Sequence, residues 1–139
     1  MGGLLISGTT IFSVLCFSDL SMPVVWLCCG TVLALTMLGA FDDWIKLSTH
    51  RKGLTARQKL LVQTVISVVA ATGIYMLHLK TGSAGIVFIP GTDSTLHFGI
   101  CWIPWAVFIV VGASNAVNLT DGLDGLAAGT SAVASIAMV

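Results

Sequence analysis

"PVVWLCCGTVLALTMLGAF", residues 23–41, contains no charged side chain and ends directly at Asp42. A helix of about 20 apolar residues is long enough to cross the ~30 Å hydrocarbon core of a bilayer. The whole chain has this character, because 56% of its 139 residues are hydrophobic and only 9% are charged. A soluble domain carries roughly 25% charged residues. The composition therefore predicts an all-α integral membrane protein and argues against a soluble domain.

Five segments are apolar enough to be predicted as membrane spans. Trp26, Trp102 and Trp105 lie in the first turns of their segments, where amphipathic rings settle at the membrane–water boundary. We predict one transmembrane domain, residues 1–139, folded as a polytopic helical bundle. The predicted spans are residues 1–17, 23–41, 60–79, 100–119 and 126–139.

The loops between these spans differ in charge. Residues 42–59 hold five of the six Lys and Arg residues, so the positive-inside rule places this loop in the cytoplasm. The loop at residues 80–99 then faces outside, and its turn "PGTD" between two short apolar runs predicts a small β-hairpin or a re-entrant loop. Two spans separate Asp42 from Asn118, so both polar clusters are expected on the cytoplasmic side.

The first polar cluster is Asp42 and Asp43. The macrodipole disfavours anions at the C-terminal end of a helix. Helix stability therefore gives no reason for two aspartates at the end of this span. Lys46 can pair with both of them at helical spacing. A solvated helix end with a local ion pair is the alternative interpretation.

The second polar cluster lies in "NAVNLTDGLDGLA", residues 115–127. Asn115, Asn118, Asp121 and Asp124 recur every three residues and form one polar stripe if the stretch is helical. Carboxylate and amide oxygens are the ligands that Mg²⁺ prefers, together with water and substrate phosphates. The alternative is a polar linker with an Asx turn. Oxygen ligands beside a basic loop predict an enzyme that handles diphosphates at the cytoplasmic membrane surface.

Four motifs resemble the phospho-N-acetylmuramoyl-pentapeptide transferase (MraY) family. They are "MGG" at 1–3, "FDDWIK" at 41–46, "GLTARQKLLVQ" at 53–63 and "NAVNLTDGLDGLA". The resemblance implies a ten-helix enzyme of peptidoglycan synthesis in the bacterial inner (cytoplasmic) membrane, of which this chain is expected to be an internal piece, the second through sixth helices. That family transfers phospho-MurNAc-pentapeptide from UDP-MurNAc-pentapeptide to undecaprenyl phosphate with Mg²⁺, giving lipid I and UMP.

The resemblance also implies roles for individual residues. Asp42 and Asp43 are the expected catalytic pair: Asp42 deprotonates or orients the lipid phosphate, and Asp43 lies near the metal. Lys46 and Lys59 are expected to bind substrate, and Asn118 both substrate and Mg²⁺. The nucleotide-sugar pocket is expected at Asp121, Gly122, Leu123 and Asp124. Expected partners are the two substrates and membrane lipid. A homodimer is one assembly that the resemblance allows, and no nucleic acid is expected.

Two other functions compete with this interpretation. A UDP-GlcNAc:polyprenyl-phosphate GlcNAc-1-phosphate transferase uses the same lipid, but "NLTDGLDGLA" and Lys46 favour the muramoyl enzyme. A transporter fragment would carry acids within broken helices, whereas these acids lie at span ends beside a basic loop. The family's later metal-binding Asp and His-rich loop have no match here, so a complete active site is not expected in this chain. Direct displacement and a covalent aspartyl intermediate both stay open.

Overall fold

The computed structural model describes residues 2–49, 53–89, 91, 94–120 and 126–137. These residues are mostly helical, which confirms the predicted fold class. In chain order the elements are α1 (Gly2–Phe17), α2 (Pro23–Thr49), α3 (Ala56–Thr81), β1 (Ile86–Phe88), β2 (Thr95–His97), α4 (Trp102–Thr120) and α5 (Leu126–Ala137). A short 3-10 turn, Gly99–Cys101, leads into α4.

Three of the described helices are long and apolar enough to cross a membrane, namely Pro23–Ser48, Ala56–Thr81 and the segment Gly99–Asn118. A shorter apolar helix, Gly3–Phe17, precedes them. Large apolar side chains on these helices, such as Val69 and Phe108, are exposed. A helix that presents apolar side chains outward suits contact with lipid tails, which are as apolar as leucine.

The helices extend further into the basic loop than the sequence predicted. Residues 42–59 were predicted as a loop, but α2 continues to Thr49 and α3 already begins at Ala56. Pairing of Asp42 with Lys46 at i,i+4 supports the additional turns of α2. Asp42 and Asp43 therefore lie on a helix, about two turns before its end.

The predicted hairpin within residues 80–99 is confirmed. Strands β1 and β2 pair antiparallel, with Val87 opposite Leu96. Helix α3 ends at Thr81 and is capped by Gly82, which adopts the left-handed conformation (φ 73°) typical of a helix C-cap. At the base of the hairpin the Phe98 N–H donates to the Gly85 carbonyl at 2.8 Å.

Helix α3 lies at the centre of the bundle, where it packs against both α2 and α4. Its buried side chains are small or polar: Ala70 and Ala71 are joined by Gln63 and Ser67. A Cβ at Gly73 would lie 2.9 Å from Leu27 Cδ1, so α2 approaches α3 closely at this glycine. Small residues allow such close helix packing in membranes. The packing brings one end of α2, α3 and α4 together.

Candidate active site

The Asp42 carboxylate is the centre of the polar cluster at this end of the bundle. Its side chain is only 8% exposed, and Oδ2 lies 2.7 Å from Lys46 Nζ. The Leu54 N–H donates to the other oxygen, Oδ1, at 2.7 Å. A carboxylate withdrawn from water needs such partners to stay ionised at acceptable cost. Asp42 therefore joins α2 to the segment that precedes α3.

Gly53 makes this contact sterically feasible. Its φ of +78° is in the left-handed region, which residues with a Cβ rarely adopt. A Cβ built there would lie 2.5 Å from Asp42 Oδ1 and 2.8 Å from Lys46 Cε. Two independent reasons therefore require glycine at this position: the backbone conformation and the close approach of the carboxylate.

A capping box at the start of α3 fixes the position of Lys59. The Thr55 side chain accepts a hydrogen bond from Gln58 N, and the Gln58 side chain accepts one from Thr55 N. Such reciprocal bonds satisfy N–H groups that a helix start leaves unpaired. The Lys59 N–H then donates to the Thr55 carbonyl at 3.0 Å. Lys59 therefore lies in the first turn of α3, and its side chain extends towards Asp42.

Lys59 links α2 to α4. Its Nζ lies 4.0 Å from Asp42 Oδ2 and donates to Asn118 Oδ1 at 3.4 Å. The second distance is longer than an ordinary N–H···O bond, and Asn118 is exposed. The amide oxygen is thus held loosely and can exchange this contact for a ligand.

Asp43 differs from its neighbour in exposure. Its side chain is 49% exposed, and its contact with Lys46 Nζ is 3.5 Å long. Lys46 itself is half-exposed and faces both carboxylates. An exposed carboxylate with one loose ion pair is free to take a new cationic partner. Two adjacent aspartates therefore have two environments, one enclosed and one open.

The donor set fits magnesium in chemical type. Within the described ranges there is no group of three His, Cys, Asp or Glu residues placed to hold a metal. Mg²⁺, however, usually takes only one or two carboxylates from the protein and completes its shell with water and substrate phosphates. Asp43 offers an open carboxylate and Asn118 an amide oxygen, both hard ligands.

Five of the predicted site residues meet in this cluster: Asp42, Asp43, Lys46, Lys59 and Asn118. The predicted nucleotide-sugar residues Asp121, Gly122, Leu123 and Asp124 lie outside the described residues, as do Arg51 and Lys52 of the basic loop. The sequence did not indicate the Leu54 N–H, since a main-chain donor leaves no residue signature. The available signal was Gly53, which stands two residues before Thr55, the N-cap of α3.

The model of glycosyl transferase family 4 matches residues 24–139. The chain belongs to glycosyl transferase family 4. The match covers every described residue of the polar cluster, from Asp42 to Asn118.

Several relatives of this family 4 chain share the name phospho-N-acetylmuramoyl-pentapeptide-transferase. The relative in Geobacillus sp. (strain WCH70) is 41% identical over 139 residues, covering 96% of this chain and 41% of that protein. The Desulfotalea psychrophila relative is 42% identical over 136 residues, covering 97% and 37%. The Wolbachia pipientis wMel relative is 37% identical over 140 residues, covering 100% and 41%. The family 4 chain thus spans about two fifths of the length of these curated relatives.

Proposed function

We propose that this chain takes part in transferring phospho-MurNAc-pentapeptide from UDP-MurNAc-pentapeptide to undecaprenyl phosphate, giving lipid I and UMP. The observation that carries the proposal is the cluster in which Lys59 lies between Asp42, at 4.0 Å, and Asn118, at 3.4 Å, at the meeting point of three helices. The names of relatives about 40% identical to nearly the whole chain support the reaction class.

In this reaction an oxygen of the lipid phosphate attacks the phosphorus that bears the sugar. The bond from that phosphorus to the bridging oxygen breaks, and UMP leaves with the electron pair. A phosphate monoester has a second pKa near 6, so the lipid phosphate is already largely a dianion at neutral pH. Orientation and charge compensation are therefore needed more than proton removal.

Of the two roles that the family resemblance implied for Asp42, the proposal assigns it the orienting role. Its oxygens accept from the Leu54 N–H and from Lys46, and these contacts stabilise the ionised carboxylate and make it a weaker base. Its charge holds the ammonium groups of Lys46 and Lys59 at one place. Lysine binds phosphate as a point charge, and the two lysines would receive the phosphates of donor and acceptor.

Magnesium would be held by Asp43 and Asn118. When bound, the ion neutralises charge that develops on the diphosphate oxygens during phosphoryl transfer. The open Asp43 carboxylate and the loosely bound Asn118 oxygen support this assignment. The enclosed Asp42 carboxylate, already compensated by cations, does not take part in it.

The cytoplasmic side of the bacterial inner membrane is the proposed location of the cluster. A soluble UDP-linked donor has to reach the site from that side, and the basic residues nearby follow the positive-inside rule. A transporter would carry its acids within broken helices. This cluster lies near the ends of α2 and α3 instead, which gives transport no support as an alternative function.

The test is UMP release by the full-length protein that carries this chain, in detergent with Mg²⁺ and undecaprenyl phosphate. We expect release with UDP-MurNAc-pentapeptide and none with UDP-GlcNAc. Release with UDP-GlcNAc alone would replace the proposal by the GlcNAc-1-phosphate transferase. Absence of release with either donor, from protein with a normal melting transition, would overturn both.

A further inference from the structure

A bridge of polar side chains joins α3 and α4 within their apolar segments. Gln63 Nε2 donates to Ser114 Oγ at 3.1 Å, and Asn115 Nδ2 donates to Gln63 Oε1 at 2.9 Å. The same Asn115 amide donates to the Val111 carbonyl of its own helix at 2.8 Å. Both ends of the Gln63 amide are thus engaged by α4.

The bridge constrains how the two helices can move. Gln63 is 3% exposed, and a buried amide that loses its partners is costly in an apolar environment. Because the two bonds run in opposite directions from one amide group, rotation or sliding of α4 along α3 breaks at least one of them. The amide therefore favours one register of the helix pair.

The fixed register lies next to the candidate active site. Gln63 follows Lys59 by four residues on α3, and Asn115 precedes Asn118 by three residues on α4. Residues three or four apart share one face of a helix. The helix faces that carry the bridge accordingly also carry the contact from Lys59 to Asn118.

We propose that Gln63 is a positioning residue for the transferase: it holds α4 in register so that the Asn118 amide oxygen faces Lys59. This inference rests on the proposed function and adds a residue that touches neither substrate nor metal. Misplacing reacting groups by about 1 Å can cost on the order of 100-fold in rate, so a register-setting amide has a kinetic effect at a distance.

The test compares Gln63→Leu with Ser67→Ala in the full-length protein. Leucine keeps the approximate size of the side chain but is apolar and forms no hydrogen bond. Ser67 is the matched control, because it is equally buried on α3 and its hydroxyl donates only within that helix, to the Gln63 carbonyl at 2.7 Å. We expect Gln63→Leu to lower kcat for UMP release about 10- to 100-fold with little change in KM, and Ser67→Ala to resemble the parent.

Gln63→Glu supplies the conservative rescue. A carboxyl group still accepts from Asn115, and the Ser114 hydroxyl can turn to donate to its second oxygen. We expect its kcat to lie closer to the parent than that of Gln63→Leu. Equal kcat and KM values for Gln63→Leu and Ser67→Ala would overturn the proposal.

A second measurement is independent of transferase activity. Spin labels at Arg57→Cys on α3 and Val117→Cys on α4, with the four native cysteines replaced by alanine, report the distance between the two helices near the cluster. We expect the distance distribution to shift or broaden with Gln63→Leu and to stay unchanged with Ser67→Ala. If the parent releases no UMP, the proposed function fails while this distance still decides the role of the bridge.

Ser114→Ala guards against a folding defect in Gln63→Leu. It deletes one arm of the bridge and leaves the bond from Asn115 to Gln63 intact. The proposal is supported if Ser114→Ala changes kcat and the distance in the same direction as Gln63→Leu does, but by smaller amounts. Parent-like values for Ser114→Ala together with an unchanged distance in Gln63→Leu would refute it.

Discussion

The Leu54 N–H donates a 2.7 Å hydrogen bond to Asp42 Oδ1, from a residue twelve positions further along the chain. The opposite oxygen of the same carboxylate contacts Lys46 at 2.7 Å. The Asp42 side chain on α2 thus contacts the main chain just before α3 and lies beside one lysine from each of the two helices. Its charge is the common element, so removing the charge tests the whole cluster.

Asp42→Asn should lower transfer by at least 10²-fold while the protein stays folded. Asparagine keeps the acceptor for Leu54, but it removes the charge that holds Lys46 and Lys59 in place; loss of one preorganised electrostatic contact typically costs 10²–10³-fold. UMP release measures the effect, with a thermal melt of each variant as the control. Turnover near the parent value would remove Asp42 from the mechanism.

Asp43→Asn should raise the Mg²⁺ concentration needed for half-maximal transfer. The open carboxylate is the charged ligand that we propose for the ion, and an amide in its place binds a divalent cation more weakly. Asp19→Asn is the matched control, since Asp19 is likewise exposed but lies before the other end of α2. Identical Mg²⁺ titrations for both variants would count against Asp43 as a metal ligand.

Gly53→Ala should impair transfer more than Gly82→Ala does. Both glycines have positive φ, 78° and 73°, so both substitutions carry backbone strain of about 1–2 kcal/mol. Only at Gly53 does the added Cβ meet Asp42 Oδ1, whereas nothing lies within 4 Å at Gly82. Melting temperature and UMP release of the two variants separate strain from displacement of the carboxylate. An equal loss of transfer in both would refute this role of Gly53.

Single cysteines at Ser48 and Ser83 should react from opposite sides of the membrane. Ser48 lies at the end of α2 and Ser83 just after α3, so one span separates them, and the basic residues predict Ser48 inside. Both side chains are exposed. Impermeant maleimide on intact and opened cells, in a background without native cysteines, reads the topology. Labelling of both from the same side would contradict the predicted arrangement.

Local patterns in the sequence predicted the local structure well. Hydropathy located the helices, the "PGTD" turn located the hairpin, and helical spacing predicted that Lys46 would reach Asp42 and Asp43, as it does at 2.7 and 3.5 Å. The continuation of α2 through residues 42–49 was missed because charge in an apolar pattern was interpreted as a loop. A charged helix end that projects beyond the apolar span gives the same signal.

Contacts between helices could not be predicted from the sequence in the same way. The meeting of Lys59 with Asn118 joins residues 59 positions apart and depends on how α4 packs on α3. The resemblance of two motifs implied that both residues belong to one site, but not that they touch. Gln63 was overlooked because one amide among apolar residues hardly changes the hydropathy of a span.

The sharing of Lys46 between two carboxylates has a thermodynamic consequence. Its Nζ lies 2.7 Å from Asp42 and 3.5 Å from Asp43, and Lys59 also lies beside Asp42, so the cluster is electrically balanced without a ligand. An incoming phosphate that attracts Lys46 leaves Asp43 without its cation, and a divalent ion restores the balance. If Lys46 binds phosphate and Asp43 binds Mg²⁺ as proposed, each ligand raises the affinity for the other, and by linkage the two enhancements have to be equal.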